Sequence, residues 1–431
     1  MKSVWLFVVI MVVAVECTPL VRRIVPQSSY PDTACLDGSP VVYYVRTPIQ
    51  SNTKWIIFME GGGWCYNADY CVGRAQSNLG SSLWTPTNMN FGPGIMDDNP
   101  AGNPDFFGWN YLWIKYCDGA SWLGNLTAPY VHQGHPLYFR GLPNLVSTFN
   151  HLQATETAFR DASELVITGC SAGSLGVLLH CDRMKALMPE STKVRCLADA
   201  GFFMDFTTAP LSLPNNQDRR VFAAEVASFS KLQTGGKFES LPPACLAMVR
   251  ESAARQNHAT PEDWYHWCIF PAMLMHFITT PVFLVQETYD DWQMAQIWFT
   301  GGFGDVTPPS PYTNCAFNLG NCQLSCASQT PCASANTCDP NCQIYHKLQR
   351  YQNLTASAIQ RSVDPHPQHG YFVTSCWTHC QVITRWGPNR GPTISGKRMH
   401  EVFGDWYFDR PNVAKRFMMG AYPYVSPPST C

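Results

Sequence analysis

Charge is what this chain has least of. Of its 431 residues 14% are Asp, Glu, Lys or Arg, 31 acidic against 29 basic, with a formal net charge of −2 and no long run of one sign. A nucleic-acid or anionic-membrane partner leaves a different electrostatic footprint, so nothing here recommends either, and no nucleic-acid partner is expected. Beyond the first residues no apolar run reaches the roughly 18 residues that a membrane-spanning helix needs. There is no C-x-x-C pair, no internal repeat and no linker strong enough to split the sequence. These absences argue against a zinc ribbon, a solenoid and a chain of separate modules.

What is present is apolar and aromatic: 45% hydrophobic residues, 14 Trp, 18 Tyr and 19 Cys. Met1-Lys2, an apolar stretch from Val4 to Val15 and then Glu16-Cys17-Thr18-Pro19 read as a secretory signal peptide over residues 1–17. Removing it leaves 18 cysteines, an even number that suits an exported, oxidised protein. Two sequons, at Asn125 and Asn353, suit the same route. The expectation is a secreted, extracellular or cell-wall monomer.

From Val41 onward short apolar runs alternate with helical patterns. Strands are expected at 41–46, 54–60, 111–116, 164–169, 193–197, 281–286 and 370–374. Helices are expected at 142–161, 172–187, 216–231, 243–255, 291–299, 343–361 and 397–408. The alternation predicts an α/β fold, α/β-hydrolase-like, with a mainly parallel sheet covered by helices on both faces. Residues 18–431 are read as one domain with long disulfide-pinned loops and a Cys-rich insert at 315–342. Stretches 66–110 and 117–140 read as irregular. Loops that long, rich in Trp, Tyr and Cys, are expected to frame a cleft.

One strand end carries the chemistry. Leu165 to Thr168 runs into Gly169-Cys170-Ser171-Ala172-Gly173, a G-x-S-x-G turn entering a helix. Strand, sharp turn and helix are the setting in which this pentapeptide becomes a nucleophile elbow, against the bland alternative of a solvated serine. A serine hydroxyl also needs a base, a group to orient the base and an oxyanion hole. In α/β-hydrolases the order is Ser, then Asp or Glu, then His. Asp290 follows the strand at 281–286 and is the candidate acid; Asp291 is an alternative suited to capping the next helix, and Glu287 lies too near the strand. His379 follows the strand at 370–374 between two cysteines and is the candidate base, ahead of His366, His369 and His400. Gly61-Gly62-Gly63 ends the strand at 54–60, where an oxyanion loop belongs; Gly62, Gly63 and Ala172 are the candidate donors. Cys170 should face inward as a buried thiol or a disulfide partner. The insert cysteines Cys322, Cys326, Cys332, Cys338 and Cys342 favour disulfides over zinc, so no metal and no cofactor is expected. Glu60 and Asp199 could be nominated for glycosidase chemistry, but no spacing pairs them; Asp199 reads as shaping the site.

The segments DGSP (37–40), MEGGGWC (59–65), NPDFFGWN (103–110), YCDGASWLG (116–124), YFRG (138–141), GCSAGSLGVLLHCD (169–182), VRCLADAGFF (194–203), SCWTHCQ (375–381) and GDWYFDR (404–410) resemble the pectin acetylesterase family. That family also contains the Notum carboxylesterases, which remove a palmitoleoyl group from Wnt proteins. The resemblance is to the plant-type branch above all. It implies an α/β-hydrolase-type fold and a Ser-Asp-His triad falling on Ser171, Asp290 and His379, with the glycine-rich oxyanion segment on Gly61 to Trp64. It also implies an acetylated polysaccharide as substrate. A Notum-like deacylase and a non-catalytic glycan-binding relative are the rival readings.

Overall fold

The computed structural model describes residues 19–46, 52–90, 94–206, 221–256, 260–299 and 340–420. The expected signal peptide and residues 315–339 of the Cys-rich insert lie outside the described residues. Ten strands build one sheet: β1 (Leu20–Ile24), β2 (Val42–Arg46), β3 (Lys54–Met59), β4 (Asn88–Met89), β5 (Asn110–Ile114), β6 (Glu164–Cys170), β7 (Lys193–Asp199), β8 (Val282–Asp290), β9 (Gly370–Thr378) and β10 (Arg416–Met418). Their order across the sheet is β10-β9-β8-β7-β6-β3-β5-β2-β1-β4. Neighbours from β10 to β5 are parallel, and β2, β1 and β4 close the other end antiparallel.

Side-chain alternation along the strands fills two apolar layers. In β3, Trp55, Ile57 and Met59 face one layer, and Ile56 and Phe58 face the other. The principal helices are α1 (Ala68–Ala75), α2 (Gly141–Thr155), α3 (Ala172–Ala186), α4 (Val221–Thr234), α5 (Pro243–Arg255), α6 (Pro340–Val363) and α7 (Met399–Tyr407). Leu145 and Phe149 of α2 and Leu175 and Leu178 of α3 pack into the first layer. Val402, Phe403 and Trp406 of α7 pack into the second. Both faces of a mainly parallel sheet are therefore covered, and the α/β-hydrolase-like architecture stands.

The differences from the sequence reading have physical causes. β8 runs to Asp290 and β9 to Thr378, beyond the expected ends, because Gln286, Glu287, Thr288 and Asp290 are fully buried polar residues inside the sheet. Apolar periodicity stops where such residues begin, although the strand does not. Within 66–110, α1 forms behind an Asn67 cap whose side chain accepts the Tyr70 N–H at 2.8 Å. Within 117–140, Tyr130–His132 and His135–Leu137 pair as a small hairpin. The expected helix at 291–299 is a short α turn, Asp291–Gln293, continued as a π-helix, Met294–Phe299.

Candidate active site

The parallel order brings the C-terminal ends of β3, β6, β7, β8 and β9 to one edge of the sheet, where open α/β sheets place their ligands. At the end of β6 the chain reverses through Ser171 with φ 59° and ψ −127°, a conformation costly for any residue with a side chain. The Ser171 N–H donates to the Asp199 carbonyl at 3.0 Å, which holds the turn against β7. Gly173 cannot carry a side chain, because its Cβ would overlap the Met59 and Glu60 carbonyl oxygens at the end of β3. The G-x-S-x-G spacing is thus a packing requirement of this turn. Ser171 itself is 6% exposed.

Asp290 is the last residue of β8 and has two jobs. Its Oδ1 accepts the Gln293 N–H at 2.9 Å as the cap of the following turn. Its Oδ2 accepts from His379 Nδ1 at 2.8 Å. The helix cap and the histidine bond do not compete, because each uses a different oxygen of the same carboxylate. This bond leaves His379 Nε2, which is buried and has no partner among the described residues. The Trp292 ring stacks on the imidazole at 5.9 Å between centroids. Cys170, beside Ser171, forms a disulfide with Cys380, beside His379. Of the two states open to Cys170 in the sequence, the disulfide is the one observed.

The glycine segment after β3 lies against this turn. Gly62 and Gly63 have φ of 140° and 64°, values that favour glycine. The Gly62 carbonyl accepts from Arg74 Nη1 at 2.8 Å and the Gly63 carbonyl from the Tyr116 hydroxyl at 2.8 Å. In a trans peptide C=O and N–H point opposite ways, so fixing the Gly62 carbonyl also fixes the Gly63 N–H on the other side. Trp64 Nε1 donates to Ser121 Oγ at 2.7 Å, and Ser121 donates to the Ala172 carbonyl at 2.6 Å. One hydroxyl therefore joins the glycine segment to the first residue of α3. Nothing in a lone serine within Cys117–Asp118–Gly119–Ala120–Ser121 signals that link.

Electrostatics around the histidine are acidic and dry. Burial pushes the His379 imidazole down, but the adjacent Asp290 charge and hydrogen bond, with Asp199 and Asp291, outweigh it and leave the pKa above the ordinary value. Burial raises the Asp199 carboxyl, against two backbone N–H donors and the His379 charge. Glu287 is raised well above the usual range by burial and by the neighbouring Asp199 and Asp290. The Glu287 oxygens are buried with only the Gln381 side chain beside them, consistent with a neutral acid. Glu60 is held by Lys115 at 2.7 Å and by the Tyr116 N–H at 2.8 Å, and Asp199 by the backbone at 381–382. Each is committed to a structural partner, unlike the facing carboxylates of a glycosidase.

Among the described residues two groups have metal-ligand proximity, with ligand atoms within 4.8 Å of one another: Cys170, His379 and Cys380, and Asp290, Asp291 and His379. Sulfurs joined in a disulfide offer no thiolate, and in the second group His379 Nδ1 is engaged by Asp290. No described helix is long and apolar enough to cross a membrane.

Fold and site edge together define the class: an esterase on an α/β-hydrolase-like scaffold. The pectinacetylesterase family model matches residues 18–430, and the chain belongs to that family. It is 29% identical over 414 residues to pectin acetylesterase 11 of Arabidopsis thaliana, covering 95% of this chain and 93% of that protein. It is 30% identical over 272 residues to the palmitoleoyl-protein carboxylesterase NOTUM of Mus musculus, covering 60% of this chain and 48% of that protein. A crystal structure of the Wnt deacylase Notum from Drosophila superposes with a TM-score of 0.67 at 20% identity, over 94% of this chain and 97% of that one. The chain is accordingly a carboxylic ester hydrolase of the pectin acetylesterase kind, and the plant enzymes cover far more of it than the mouse enzyme does.

Proposed function

We propose that this protein is an exported serine carboxylesterase that removes acetyl groups from an extracellular polysaccharide such as pectin. His379 Nε2 takes the proton of Ser171 as its Oγ attacks the ester carbonyl. Gly62, Gly63 and Ala172 N–H groups stabilise the tetrahedral oxyanion. The imidazolium then protonates the departing sugar oxygen, releasing it as a hydroxyl and leaving acetyl-Ser171. Water, deprotonated by the same nitrogen, hydrolyses that ester and releases acetate. Asp290 keeps the imidazole in the tautomer with its proton on Nδ1.

The observation that carries this reading is the Asp290–His379 bond, which leaves a buried, unpartnered Nε2 on a loop stapled to the serine turn. Preference for a short acyl group has a separate support. Trp64 packs on Phe203 at 4.8 Å, on Trp292 at 5.7 Å and on Phe229 at 6.0 Å, and Trp292 continues the wall to His379. Rings packed on rings form one aromatic wall from the glycine segment to the histidine, which favours a short acyl group over a long one. The pectin acetylesterase relatives point the same way.

The deciding experiment compares acetate release from acetylated pectin with hydrolysis of a palmitoyl ester by the same preparation. The acetyl substrate should be favoured by about tenfold or more in kcat/KM, a margin that pocket shape alone can supply. Trp292→Ala should narrow it by improving turnover of the long chain. Preference for the long chain in the wild-type protein would instead mark a Notum-like deacylase. No turnover of any ester would mark a binding relative.

A further inference from the structure

We propose that Asp199 is a positioning residue that locks the nucleophile turn and the histidine loop into one unit, a role that rests on the serine-esterase reading above. Asp199 ends β7, between the strand that carries Ser171 and the strand that carries Asp290. It is fully buried. Its main-chain carbonyl accepts the Ser171 N–H at 3.0 Å. Its carboxylate reaches the other way: Oδ1 accepts the Gln381 N–H at 3.1 Å and Oδ2 the Val382 N–H at 2.7 Å.

Those two donors open the turn that follows His379. Cys380 enters it with φ 68°, and Gln381 starts a run in which its carbonyl accepts from Thr384 at 3.1 Å. A turn of this kind is ordinarily capped by a side chain of its own segment. Here the cap comes from residue 199, nearly two hundred positions earlier in the chain. One residue, through its carbonyl on one side and its carboxylate on the other, therefore ties the histidine loop to the serine turn, in parallel with the Cys170–Cys380 disulfide. The two N–H donors oppose the burial that pushes this carboxyl up to about 7, and as it ionises its charge adds to the field at His379. The titratable groups facing it are His379, Asp290 and Glu287.

Asp199→Asn keeps the shape and one acceptor but turns the other into a donor aimed at a donor. In the deacetylation assay its kcat should fall by about 10- to 100-fold with KM changed by less than about twofold, because misplacement of the base is a kcat defect. The acid limb of its kcat/KM profile should move to lower pH, since the Asp199 charge that favours the imidazolium is gone. An unchanged kcat, or a loss with the acid limb unmoved, overturns the proposal. Either result leaves the serine mechanism standing, because Ser171→Ala tests that separately. Should the variant not fold, hydrogen exchange on the wild-type protein decides. The Gln381 and Val382 amides should exchange at least about 10³-fold slower than unprotected amides, and rapid exchange there overturns the proposal.

Discussion

Ser171→Ala should abolish acetate release, lowering kcat/KM by about 10⁴-fold or more while leaving the fold intact. The expectation follows from how the residue is held. Its backbone is fixed by the Asp199 carbonyl, by the packing of Gly173 on β3 and by the neighbouring disulfide, none of which uses the hydroxyl. On the proposed mechanism, removing Oγ thus deletes the nucleophile and little else. The residual rate would come from the oxyanion donors and substrate binding alone. Circular dichroism and acetate release on the same sample check both halves. A variant that folds and still turns over at the wild-type rate would sink the mechanism.

Asp290→Asn should cost about 10⁴-fold in kcat through a different route. The amide can offer its NH2 to Nδ1, favouring the tautomer with the proton on Nε2, where a base needs a lone pair. The pH dependence carries a second signature. A base works when neutral, so activity rises as pH climbs through the imidazole pKa. Burial lowers that pKa, while the Asp290 charge and hydrogen bond, together with the Asp199 and Asp291 charges, more than offset it. The wild-type acid limb should therefore lie above about 6.5, the ordinary imidazole value. With Asp290 neutralised, burial is opposed only by the weaker contributions of Asp199 and Asp291, and the limb should move to lower pH. A residual activity whose acid limb stays in place would show that another group sets the histidine. Because Oδ1 also caps the turn at Gln293, thermal unfolding should be followed alongside.

The contrast between what could and could not be read ahead is physical. The turn at Gly169 to Gly173 is legible because strand, glycine and helix signals are local, although the contact that demands Gly173 is with the end of β3. The β8 and β9 ends were misjudged because buried polar residues such as Glu287 and Thr288 look like loop in any apolar pattern. β10 contributes only three half-buried residues at the sheet edge, too few for a period. Asp199 could be flagged by position but not by role, since its partners are backbone N–H groups that any residues at 381 and 382 would supply. The state of Cys170 had to wait for the fold to bring residue 380 beside it.

That disulfide has a consequence for the integrity of the molecule. It spans 210 residues of sequence, and by chain-entropy reasoning a loop of that size restricts the unfolded chain by roughly 5 kcal/mol. It also makes the two ends of the loop one covalent object whatever happens between them. A protease that cuts once between Ser171 and His379 separates them along the main chain but not in space. A nicked molecule should run as one band until it is reduced and as two afterwards. It should also keep esterase activity as long as the bridge survives, so in a protease-rich surrounding the enzyme's working lifetime is set by reduction of a bond rather than by the first cut.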